Sequence, residues 1–244
     1  MSIAIHRIRA EANAEWRAFL RRRTAVFFTF VFPVIIVALF GAIIGSGTAG
    51  GVFDRPQAYY VPGYLAVVIV LTPLSRVGST VARYRSARRF EKLATTPLTR
   101  VEWLVAHAIV TTVLVGIATA VLVVALAAIA GIAFRIGPGL VVFIAVGTVL
   151  HVGIGALIGW LADSQDGVIA AANGIGIPLV FLSETFLPPE VLPAIARPLV
   201  SLLPLTYFSR GVRAVTYGGG SYVTELVVLV VLAGVVLALA TATL

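Results

Sequence analysis

Cysteine is absent from the 244 residues, Lys92 is the only lysine, and charged residues make up 11% of the chain. The first absence excludes disulfides and thiolate metal sites. The second excludes a P-loop: no Gly-x-x-x-x-Gly-Lys-Ser/Thr occurs, so ATP hydrolysis would have to come from another polypeptide. The third is incompatible with an ordinary soluble domain, in which about 25% of residues are charged. His6, His107 and His151 lie in different segments without metal-ligand spacing. Asp163 and Asp166 flank a short turn and read as helix punctuation rather than as a general acid and base. The glycines at 218–220 follow no strand and read as a turn. No catalytic residue and no metal site is therefore expected in this chain.

What fills the sequence is apolar: 60% of residues are hydrophobic and mean hydropathy is +1.06. The apolar residues come in long blocks, not in the short periodic stripes of water-soluble helices. A run of roughly 20 such residues covers the hydrocarbon thickness of a bilayer as a helix. Runs of this kind are Thr24 to Gly45, Tyr59 to Ala82, Leu104 to Phe134, Gly139 to Ala162, Gly167 to Leu182 and Tyr222 to Leu244. The expected fold is an all-α membrane protein with six transmembrane helices over 24–244, preceded by an amphipathic segment over 1–23. The third run is long enough to tilt or project. The fifth is short, and Gly174, Gly176 and Pro178 predict a broken or loosely packed helix. Gly147, Gly153, Gly155 and Gly159 allow close helix approach, read first as packing within one protomer. The first run follows a charged segment and precedes further spans, so it does not read as a cleaved signal peptide.

Arginines set the expected orientation. Arg7, Arg9, Arg17, Arg21, Arg22 and Arg23 precede the first run, and Arg83, Arg85, Arg88, Arg89, Lys92 and Arg100 lie between the second and third. Basic segments are retained in the cytoplasm, which puts both termini inside a multi-pass protein of the cytoplasmic membrane. Asp54, Arg55 and Arg135 then face outward. The formal net charge of +8 reflects topology and contact with anionic lipids, not nucleic-acid binding.

Three segments say more than "membrane". Ile5, Ile8, Ala12, Trp16, Phe19 and Leu20 recur at helical spacing while Arg9, Glu11, Asn13, Arg17 and Arg21 occupy other faces, predicting an interfacial amphipathic helix. The same stripe would serve a lipid anchor or a surface for a cytoplasmic partner. In the inner loop 83–100, Tyr84, Ala87, Phe90, Leu93 and Ala94 form an apolar edge on a basic helix that Pro97 should end near Thr95 or Thr96. Thr99 and Glu102 then form a capping box that launches the third span. In 183–221, prolines at 188, 189, 193, 198 and 204 break a stretch too apolar for a solvated loop, predicting short re-entrant helices at the outer side before the last span. Glu184 and Arg76 each read either as a snorkelling charge or as a functional one, with the position of Arg76 near the inner surface favouring snorkelling.

The run Arg21-Arg-Arg-Thr-Ala-Val-Phe-Phe-Thr-Phe-Val-Phe-Pro33, the loop Phe90-Glu-Lys-Leu-Ala-Thr-Thr-Pro-Leu-Thr-Arg-Val-Glu-Trp-Leu104 and the segment Pro178-Leu-Val-Phe-Leu-Ser-Glu-Thr-Phe-Leu-Pro188 together resemble the type-two ABC transporter permeases, in the order that family has them. The resemblance is to permeases of the daunorubicin-resistance type. It implies a connecting helix including Trp16, Phe19 and Arg21, and a coupling helix in which Arg85, Arg88, Arg89, Phe90, Glu91, Leu93, Thr96 and Pro97 meet an ATP-binding subunit. It implies a substrate path or outer gate including Asn173, Phe181, Glu184, Phe186 and Pro188. The implied assembly is two permeases, the second copy identical, on two ATP-binding subunits that carry ATP and Mg, with no cofactor in this chain. The implied activity is export of a lipophilic drug, lipid or lipid-linked molecule. A glycan, cation or redox-maturation cofactor as cargo, a non-transporting membrane subunit and an intramembrane enzyme are the alternative readings. Two positions depart from the family pattern: Arg83-Tyr-Arg-Ser86 stands where an acidic turn is usual, and Glu184 stands where Ser-Gly is usual. A carboxylate at 184 facing a cavity would favour a cationic or amine-bearing cargo.

Overall fold

The structure, a computed structural model, describes residues 2–45, 55–128 and 131–244. Asp54 lies outside the described residues. Ten α-helices are described: α1 Ser2–Leu20, α2 Arg23–Gly45, α3 Val61–Ser86, α4 Arg89–Leu93, α5 Arg100–Ala128, α6 Pro138–Leu161, α7 Gln165–Leu182, α8 Arg197–Leu202, α9 Pro204–Arg213 and α10 Val223–Thr243. No strand occurs among the described residues. Five of these helices (α3, α5, α6, α7 and α10) are long and apolar enough to cross a membrane, or six spans result if the bent pair α1 and α2 counts as one. The protein is an all-α membrane protein. The α1 and α2 axes meet at a 79° bend, which lays α1 across the end of the bundle.

The apolar runs foretell the spans to within a few residues, with one shift. The third starts at Arg100 rather than Leu104 and ends at Ala128 rather than near Phe134. Its start is set by the predicted cap: the Glu102 amide donates to Thr99 Oγ1 at 3.2 Å, and the Thr99 amide donates to Glu102 Oε2 at 2.9 Å. Beyond it, Gly131 takes φ +63°, and 131–137 are not helical.

Helix α3 is the hub, packed on α6 and α7, while α10 lies on α6, and α1 and α2 lie on α5. Close packing of α3 on α6 depends on missing side chains. A Cβ on Gly155 would sit 2.8 Å from the Pro73 carbonyl oxygen and one on Gly78 would sit 2.9 Å from the Gly155 carbonyl oxygen, while one on Gly159 would strike Gly78. These glycines therefore act within one protomer, where small residues let helix backbones meet. The core between them is continuous through Leu65, Ile69, Leu74, Leu150, Phe143 and Phe208. At the proline-rich end, α9 buries Leu205, Phe208 and Val212 against α3, α6 and α10. Its short helices dip back onto the bundle instead of crossing it, as the prolines predict. By contrast α7 and α10 bury little of their length inside the chain.

Candidate functional site

Two ends of the bundle carry organised polar chemistry. At the arginine-rich end, Arg88 adopts φ +51° and breaks α3 from α4. Phe90 is buried in an aromatic nest, with ring centroids 5.4 Å from Tyr84, 5.2 Å from Trp103 and 6.4 Å from Trp160. Leu93 and Leu98 pack on the same cluster. Thr95 and Thr96 hydroxyls donate back to the Lys92 and Leu93 carbonyls at 2.8 and 2.7 Å, which ends the helix before Pro97. Arg85 donates to the Trp160 and Ala162 carbonyls, and Arg100 to that of Leu244. Both place a cation against the negative end of a helix dipole.

The residues expected to form one coupling surface therefore divide. Arg88, Arg89, Glu91, Thr96 and Pro97 are exposed. Phe90 and Leu93 point inward and hold the loop's shape, and Arg85 ties α3 to the end of α6. Phe90, buried, and Leu93, half-buried, brace the loop from within, because an apolar edge packs where a bundle end offers aromatic partners.

Helix α1 presents a different face from the one its apolar residues suggest. Trp16 and Phe19 pack inward on α5 and α2, where the apolar stripe suggests a lipid anchor or a partner surface, while Ile5 and Leu20 are exposed and Arg21 lies at the exposed bend. The docking face instead carries Arg7, Glu11 and Glu15. Arg7 pairs with Glu102, its Nε donating to Oε2 at 3.1 Å. Glu11 lies 3.4 Å from His107 Nε2, and Glu15 accepts from Arg76 at 2.7 Å and lies 3.9 Å from His107 Nδ1. The Arg76 guanidinium also sits 4.7 Å over the Phe19 ring. Arg76, its side chain 15% exposed, is thus a docking partner for α1 and not a snorkelling side chain. The spacing of Arg7, Glu11 and Glu15, four residues apart, is the signal that places them on one stripe.

At the opposite end, Glu184 takes φ +57° and is 4% exposed. Its carboxylate accepts from Arg210 Nε at 2.8 Å and from a terminal nitrogen of Arg210 at 2.6 Å. Its carbonyl accepts from Arg213 at 2.6 Å, and the Arg213 guanidinium stacks 3.9 Å from the Tyr59 ring centre. The hydrogen bonds to the carboxylates of Glu102 and Glu184 push the Arg7 and Arg210 pKa values up, outweighing lost hydration. Glu184 is already neutralised from within, so the geometry gives it no free charge for a cationic cargo. Phe186 is buried against Gly63 and Tyr64, a Cβ on Gly63 lying 2.6 Å from its ring, and Pro188 is buried as well. Asn173 and Phe181 lie on the exposed face of α7. The residues expected to form one gate thus split between a packed plug and an open helix face. Arg210 and Arg213, which organise the plug, carry no sequence signal beyond being charges inside an apolar stretch.

Between α2, α3 and α7 lies a cleft of about 350 Å³ that reaches the arginine-rich end, lined in part by Arg22, Arg76, Ser79, Arg83 and Gln165.

No curated protein matches the chain. The sequence profile described as ABC-2 type transporter matches residues 6–217. That match takes in the docked α1, the capped loop and the proline-rich plug. The chain therefore belongs to the ABC-2 type transporter family, as a membrane permease component of an ABC transporter system.

Proposed function

We propose that this chain is the transmembrane subunit of an exporter in the cytoplasmic membrane, working as two identical copies on two ATP-binding subunits that hold ATP and Mg. The observation that carries the reading is the loop around α4. Its inner face is locked onto Tyr84, Trp103 and Trp160, and its outer face of Arg88, Arg89, Glu91, Thr96 and Pro97 is free for contact. A loop so braced transmits displacement: a push on α4 moves the ends of α3 and α5 together. The 79° bend at 21–22 gives α1 the same leverage on α2 and, through Glu15 and Arg76, on α3.

The arginine-rich end faces the cytoplasm by the charge of its loops. Lys92 being the only lysine, the ATP-hydrolysing lysine belongs to the partner. The free faces of α2 and α7, with Phe28, Phe32, Ile175 and Phe181 exposed, meet the second protomer across the substrate path, where Asn173 is a polar contact. The cargo is a lipophilic drug, lipid or lipid-linked molecule, moved outward past the Glu184 plug. The test is reconstitution of the chain with its co-expressed ATP-binding subunit in proteoliposomes. ATP-dependent movement of a lipophilic cargo, abolished when the 83–100 loop is replaced by a flexible linker, is the expected result. Failure to recruit any ATP-binding subunit with that loop intact overturns the reading.

A further inference from the structure

The cleft between α2, α3 and α7 has a charge pattern that α1 docking does not account for. Three guanidiniums, those of Arg22, Arg76 and Arg83, line it against one carboxylate, Glu15. Glu15 is bonded to Arg76, and neither Arg22 nor Arg83 makes an ion pair among the described residues. The Nε atoms of Arg76 and Arg83 are buried without a hydrogen-bond partner. The three arginines also act electrostatically on one another. A buried guanidinium donor without an acceptor is costly, and like charges held together add to that cost, so such a cluster persists where an anion completes it.

The rest of the wall says what sort of anion. Arg22 and Gln165 lie where α2 and α7 begin, and Arg83 lies where α3 nears its end. Arg76 is seven residues back along α3, about 10 Å deeper at the helical rise. Hydroxyls of Thr29, Thr72, Ser75 and Ser79 line the same cleft. The rest of the wall is largely apolar, with Phe28, Phe32, Val67 and Leu71, and both Phe28 and Phe32 are exposed. A planar guanidinium fork matches the oxygens of a phosphate, and basic pockets between spans near the cytoplasmic face suit lipid headgroups.

We propose that this cleft is a binding site for a phosphate-bearing amphiphile, its headgroup held by Arg22, Arg76 and Arg83 and its hydrocarbon lying along the α2 and α7 faces. This deepens the permease reading and rests on it: the cargo enters from the inner leaflet as an anionic lipid or lipid-linked phosphate. The arrangement disfavours a cationic drug, which would meet a net positive wall.

The test is binding of phosphatidic acid to the detergent-solubilised full chain, measured by native mass spectrometry, with phosphatidylcholine and inorganic phosphate as competing probes. Wild type should retain phosphatidic acid at least about tenfold better than phosphatidylcholine, and Arg22→Gln/Arg83→Gln should lose about tenfold of that preference. Arg9→Gln/Arg17→Gln, which removes two exposed charges on α1, should leave it unchanged and serves as the measure of a merely basic surface. Equal loss in both double variants overturns the site, as does equal retention of the two lipids. Displacement of the lipid by inorganic phosphate at matched concentration overturns the amphiphile and leaves a free-phosphate site. The binding readout needs no partner, so selective binding without recruitment of an ATP-binding subunit refutes the permease reading while the site stands. Recruitment without selective binding does the reverse.

Discussion

The Glu184 cluster yields an ordering of three substitutions that no reading of the sequence alone produces. Arg210→Ala strands a carboxylate whose side chain is 5% exposed. Removing one partner of a buried pair costs about 3–5 kcal/mol. Glu184→Ala strands instead a guanidinium that is 41% exposed and can turn to water, so its loss is nearer 1–2 kcal/mol. Glu184→Gly makes the same deletion but relieves the left-handed backbone at φ +57°, a gain of about 1 kcal/mol that leaves a small net effect. Thermal unfolding in detergent followed by helical circular dichroism reads the order directly, at about 2–4 °C per kcal/mol for a domain of this size. Arg210→Ala should lower Tm by on the order of 10 °C, Glu184→Ala by a few degrees and Glu184→Gly least. If Glu184→Gly is as damaging as Arg210→Ala, the assignment of strain and burial at this position is wrong.

Elsewhere the structure sets three further outcomes. Gly159→Ala drives a methyl into the Gly78 backbone and should destabilise the α3 and α6 contact by about 1–3 kcal/mol, read as lowered Tm, whereas Gly174→Ala, with open space around it, should not. Phe90→Ala empties the aromatic nest under α4 and should abolish ATPase stimulation by the chain while Tm falls, whereas Lys92→Ala on the exposed side should leave Tm unchanged. Glu15→Ala leaves the half-buried Arg76 without its carboxylate and should release α1 to limited proteolysis, at a cost of about 2 kcal/mol. Adding Arg76→Met to that variant should restore protection, because it removes the stranded charge.

Much of the fold was legible because lipid leaves few options. Long apolar blocks gave the spans, Thr99 and Glu102 gave the start of α5, and the prolines at 188–204 gave short helices in place of a span. What stayed hidden was which polar residues meet across the bundle. The contacts of Glu15 with Arg76, Arg7 with Glu102, and Glu184 with Arg210 join residues 61, 95 and 26 positions apart, and one-dimensional spacing carries no signal for them. The apolar stripe of α1 misled in part for a related reason. A helix lying at the end of a bundle can turn its acids inward when arginine and histidine wait there, leaving Ile5 and Leu20 outside. Glu184 looked like a free charge because the local pattern showed the loss of a glycine, not the guanidinium that answers it.

The central claim is that the arginine-rich loop, not the proline-rich end, meets the ATP-binding subunit. Lacking native cysteine, the chain allows single-cysteine variants to be read without ambiguity. Glu91→Cys lies on the exposed side of α4, and Glu190→Cys is exposed at the far end. Treated with a maleimide–amine cross-linker in membranes that co-express the ATP-binding subunit, Glu91→Cys should yield a cross-linked permease–ATPase band and Glu190→Cys none. Cross-linking through Glu190→Cys, or none through Glu91→Cys when the two subunits co-purify, would contradict the account.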